Sequence, residues 1–84
     1  MNTVILGIKT DNRSETALRI QRVLTKFGCF IKTRLGLHSS KTADCSEYGL
    51  LLLEITNREK SVDIEQMLLD IDGIEIQRME FQFF

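Results

Sequence analysis

The periodicity of apolar positions along the chain switches repeatedly between two and about 3.6. Residues 3–10 (TVILGIKT) are β-branched and apolar on both parities, the pattern of a strand in the middle of a sheet. Polar turn residues follow at 11–13. Asn12 with Glu15 three positions on has the form of a capping box, in which each side chain satisfies an orphan backbone N–H. Beyond it Ala17, Ile20, Val23, Leu24 and Phe27 fall within about 120° of one another at ~100° per residue, predicting an amphipathic helix over 13–27. Gly28 stands where a left-handed helix stop is wanted.

Residues 29–37 alternate Ile31, Thr33 and Leu35 against Lys32 and Arg34, predicting a half-buried strand, and 38–47 form a polar loop. Residues 48–56 hold four successive leucines, but Gly49 and polar boundaries limit the run to strand length. Ser61 is expected to cap a second helix with Ile64, Met67, Leu68 and Ile71 inward and Gly73 closing it, and 74–81 alternate as a last strand. The order strand–helix–strand–strand–helix–strand predicts an α+β, ferredoxin-like βαββαβ sandwich. A four-stranded antiparallel sheet then carries both helices on one face, as a single domain over residues 1–84.

That arrangement leaves one sheet face uncovered, and whichever parity meets the helices, large apolar residues remain for the other. Leu50, Leu52, Met79, Phe81 and Phe83 are the expected interface of a homodimer or homotetramer. Three exposed leucine-sized side chains alone forgo several kcal/mol at ~25 cal/mol per Å². The alternative is that Phe81, Phe83 and Phe84 fold back over their own sheet. With 84 residues the core is small, which strengthens the case for an oligomer.

Charge and composition narrow the function. Eleven Lys and Arg against 12 Asp and Glu give a formal net charge of −1, so no basic excess is present to neutralise phosphates, and direct nucleic-acid binding by this chain alone is not expected. No apolar run approaches the ~18 residues of a membrane helix, and the N-terminal residues lack the pattern of a secretion signal. Cys29 and Cys45 are too few for a disulfide scaffold, which places reduced thiols in the cytoplasm, with Cys29 read as a small buried hydrophobe.

No catalytic set is legible. The single histidine, His38, and Cys45 lie seven apart in one loop, short of the four ligands of a closed zinc site, so neither a metal nor another cofactor is expected. An RNA-recognition domain shares the element order, but where its third strand needs stacking aromatics this chain has Leu50 to Leu53. An acylphosphatase-like enzyme would need a basic, glycine-rich cradle after the first strand, where residues 11–13 supply one arginine and no glycine.

Three strings, VILGI at 4–8, TRLGL at 33–37 and IDGIEI at 71–76, together with the element order, resemble the small ACT-like proteins called iron-only hydrogenase system regulators. Members of that family are described as transcriptional regulators. The resemblance implies an ACT-like fold, symmetric oligomers and a regulatory, non-catalytic role. That family is in turn similar to the sensing domain of the nickel-responsive repressor. Cys45-Ser46-Glu47 matches its Cys-x-Glu step, while the companion histidines are missing, so nickel sensing by that mechanism is not implied.

ACT-like domains place small effectors near the first strand–helix turn, which carried onto this chain implies Gly7, Thr10, Asp11 and Asn12 as one wall. The long polar loop, with Gly36, His38 and Ser39, is the second candidate. The expectation is thus a ligand-sensing homo-oligomer, the alternative being a protein–protein interaction module with no small ligand.

Overall fold

The computed structural model describes residues 2–11, 13–38 and 49–82. Its elements are β1 (Asn2–Thr10), α1 (Ser14–Lys26), a 3-10 turn (Gly28–Phe30), β2 (Ile31–His38), β3 (Gly49–Ile55), α2 (Arg58–Leu69) and β4 (Ile74–Gln82). The strands form one sheet in the order β2-β3-β1-β4, with every neighbouring pair antiparallel. This is the ferredoxin-like sandwich expected from the alternation of periods. Among the described residues no helix is long and apolar enough to cross a membrane.

One parity of the central strands makes the core. Val4, Leu6 and Ile8 of β1 and Leu53 and Ile55 of β3 are fully buried. They meet Ile20, Val23, Leu24 and Phe27 from the first helical segment and Ile64, Leu68 and Ile71 from the second. β1 is buried on this side along its length because it lies between β3 and β4, which explains its apolar run.

Several local expectations need correction. The first helix begins one residue later than a capping box at Asn12 requires: Arg13 takes the N-cap position without a side-chain cap bond. Asn12 itself lies outside the described residues. Thr16, rather than Ala17, joins the buried stripe, one turn ahead of Ile20. Helix α2 ends at Leu69 with Asp70 as its C-cap, so Ile71 and Gly73 lie in the turn into β4 rather than closing the helix. The left-handed conformation belongs to Gly73 (φ +89°) and not to Gly28, which opens the 3-10 turn. That turn carries Cys29 to the surface, so the thiol is exposed rather than buried.

Helix α2 is capped by Asn57, whose side-chain oxygen accepts the Lys60 backbone N–H at 3.0 Å. Ser61 therefore sits inside the helix, where its hydroxyl donates to the Arg58 carbonyl at 2.6 Å and is fully buried. Met67, expected inward, is 36% exposed. β2 starts two residues late, with a register irregularity between Ile31 and Thr33, and residues 32–36 are exposed because it is an edge strand.

Candidate functional site

Strand pairing gathers several sequence-predicted residues at one end of the sheet. Thr10 pairs with both Gly49 and Ile74, and the His38 backbone pairs with Gly49, so the ends of β1 and β2 meet the starts of β3 and β4. Ser39 lies outside the described residues. Gly7 and Gly36 do not join this group. Gly7 sits in mid-sheet on the open face, where an added Cβ would lie 3.6 Å from Leu52 Cδ2. Gly36 pairs with Leu51, which places it on the opposite parity at the sheet edge.

The β1–α1 turn is held against the α2–β4 turn. The Asp11 N–H donates to the Gly73 carbonyl at 2.9 Å, and any side chain at Gly73 would collide with the Asp11 carboxylate. That carboxylate also accepts the Arg13 N–H at 3.1 Å, and this backbone bond, with help from Thr16 and the Arg13 charge, holds its pKa below the usual carboxylate range. A depression of about 360 Å³ opens beside the staple, lined by Asp11, Arg13, Glu15, Thr16, Arg19, Asp72 and Gly73. A second of about 250 Å³ lies on the strand side, against Lys9, Thr10 and Ile74.

The larger depression thus offers two guanidiniums and three carboxylates over a helix N-terminus, a surface suited to a small ligand that carries both charges. Its own charges are partly committed, Arg13 to Asp11 at 3.9 Å and Arg19 to Glu15 at 3.6 Å. Among the described residues no three His, Cys, Asp or Glu side chains stand together as metal ligands.

Sequence reasoning missed a polar cluster between α2 and β4. Arg78 lies on the helix-facing parity of β4, opposite Leu6, with its side chain 19% exposed. It donates to Glu65 and Ser61 at 2.8 Å and to Glu80 at 2.9 Å, and Glu80 accepts a further bond from Arg58 at 3.0 Å. These two guanidiniums hold Glu80 below the usual carboxylate range. The available signal was an arginine at 78 that continues the inward parity of Ile74 and Ile76.

The uncovered face carries the other candidate site. Leu50 (36%), Met79 (55%) and Phe81 (44%) are exposed there, Leu52 and Ile5 are half-buried, and Leu35 (48%) extends the patch onto β2. Phe83 lies outside the described residues.

No protein-family model and no curated protein sequence matches the chain. Solved structures do. An uncharacterised protein of Thermotoga maritima superposes with a TM-score of 0.80 at 17% identity, covering 98% of this chain and 100% of the other. A PII-like signalling protein of Thermus thermophilus gives 0.68 at 13% identity, with 96% and 88% covered. The ACT domain of a GTP pyrophosphokinase of Chlorobium tepidum gives 0.67 at 18% identity, with 92% and 96% covered. At these identities the likeness establishes the architecture: the chain has the ferredoxin-like fold shared by ACT domains and PII-like proteins.

Proposed function

We propose that the chain is a small, non-catalytic regulatory domain that works as a homo-oligomer joined through its open sheet face. It responds to a small charged ligand bound beside the Asp11–Gly73 staple. The observation that carries this reading is the apolar open face: Leu35, Leu50, Met79 and Phe81 are each more than a third exposed in a chain whose core is small. The ACT-like fold supports a regulatory role. The strings VILGI, TRLGL and IDGIEI support the finer reading of an iron-only hydrogenase system regulator that acts on transcription from the cytoplasm. With a net charge of −1, such an action would pass through another protein rather than direct contact with DNA.

Native mass spectrometry of freshly purified protein tests both parts. A dimer or tetramer retaining extra mass is the expected result, and a bare monomer at micromolar concentration would overturn the oligomer. A thermal-unfolding screen of amino acids, nucleotides and metal ions then addresses the ligand. At 100 times its dissociation constant a ligand adds about 2.7 kcal/mol of stability. A specific observation favours a second reading, an interaction module without a ligand: the arginines lining the depression already have carboxylate partners. An oligomer whose unfolding no compound shifts would select that module.

A further inference from the structure

On the side of the molecule away from the sheet, α1 and α2 border a groove of about 520 Å³ whose two walls carry opposite charge. Arg19, Arg22 and Lys26 follow one another on α1 at spacings of three and four, which sets them in one stripe along the helix. Asp63 and Asp70, seven apart, form a stripe on α2. Lys26 lines the groove together with both aspartates, and Arg19 stands beside Asp72 just past the end of α2. The helices therefore run antiparallel with the two stripes facing one another. Between them the floor is apolar, built by Phe27 and by Met67, which is 36% exposed.

The walls do not neutralise each other. Asp63 approaches Lys60 of its own helix at 4.0 Å, and Arg19 approaches Glu15 of its own helix at 3.6 Å. The Lys26 ammonium lies 5.8 Å from the centre of the Phe27 ring. Among the described residues no ion pair crosses the groove, and Arg22 and Asp70 have none at all.

We propose that this groove docks an amphipathic helix of another protein, one with a narrow apolar seam, acidic residues along one flank and basic residues along the other. Charge complementarity selects that occupant. A uniformly acidic helix would be repelled by Asp63 and Asp70, and a uniformly basic one by the α1 wall. An uncharged apolar helix would cover both stripes and leave them without water or partner. A seam that repeats every seven residues advances about 10.5 Å per repeat, which matches the step from Arg19 to Lys26 and from Asp63 to Asp70 along their own helices. The apolar floor then supplies the affinity, and the charged walls fix the direction in which the helix lies.

A second copy of this chain fits the groove less well. The groove and the apolar sheet face lie on opposite sides of the molecule, and two self-pairing faces so placed would build an open-ended stack instead of a closed oligomer. The inference is independent of the ligand proposed beside Asp11, and the groove stays open when the sheet face is covered.

Titration of a stapled helical peptide into the ¹⁵N-labelled full chain tests the site by NMR. The peptide carries leucines along its seam, glutamates on one flank and lysines on the other. Amide shifts are expected at residues 19–27 and 63–70, with binding that weakens as salt is added. A control peptide of the same composition, with glutamate and lysine mixed on both flanks, should bind at least about tenfold more weakly. The double variant Arg22→Glu with Asp70→Lys changes two exposed side chains and should keep its circular-dichroism spectrum while losing a similar factor. A helix turned end for end presents its flanks to the opposite walls. Exchanging the two flanks should therefore move the broadening caused by an N-terminal spin label from one end of the groove to the other. Equal affinity for the sorted and mixed peptides, shifts confined to the sheet face, or no shift at all would overturn the docking groove and leave the sheet-face oligomer untouched.

Discussion

At Gly73 the backbone turns through φ +89° while the Asp11 carboxylate packs where a Cβ would stand. A side chain there meets two separate penalties, the left-handed backbone and the collision. Gly73→Ala should cost about 2 kcal/mol or more in equilibrium denaturation, and removing the carboxylate with Asp11→Gly should recover only the collision part. A Gly73→Ala protein as stable as the parent would mean that neither penalty operates at this turn. Glu80 makes a second residue-scale case. Hydrogen bonds from Arg78 and Arg58 depress its pKa in the folded state, so the stability it contributes is complete above the unfolded value and is lost as pH falls through the folded one. The denaturation midpoint should therefore decline on acidification through the lower carboxylate range. Glu80→Gln should flatten part of that decline, whereas parallel pH profiles for parent and variant would remove Glu80 from the account.

At the scale of elements, the alternation of periods made the strand and helix order legible, because burial on one side dictates a repeat of 2 or 3.6 wherever an element packs on a core. Ends were less legible. Asn57 and Ser61 are both good capping residues, and the sequence does not say which turn starts α2. Tertiary contact decides: Ser61 is needed inside, where its hydroxyl receives Arg78. Asn57→Ala should cost about 1 kcal/mol through the lost bond to Lys60. Arg78→Met keeps the stem that lies against the sheet while leaving Glu65 and Glu80 without their shared cation. A loss of about 1–2 kcal/mol is expected in urea denaturation, at the lower end because both carboxylates reach water. The candidate ligand site was only half legible for a similar reason. The ACT-like resemblance grouped Gly7 with Asp11, but the strand carries Gly7 away to mid-sheet, and the partner that the Asp11 turn does find, Gly73, is 62 residues on.

At the scale of the whole molecule, the balance between core and surface is the governing quantity. Among the described residues twelve buried apolar side chains form the core, on the helix side of the sheet, while the other side presents leucine, methionine and phenylalanine to solvent. A chain of 84 residues buries only about 60% of its unfolded surface, so the area that a second copy removes from water is a substantial share of total stability. Unfolding should then be linked to dissociation, and the melting temperature should rise with protein concentration. Placing lysines at Leu50 and Leu52 removes the apolar corner over β3 while leaving Leu53 and Ile55, which build the core from the same strand, in place. That double variant should keep its circular-dichroism spectrum, melt at a lower temperature and lose the concentration dependence. If the parent melts at the same temperature across a hundredfold range of concentration, the sheet face contributes nothing through self-association. Its apolar side chains would then be covered within one chain or by a different protein.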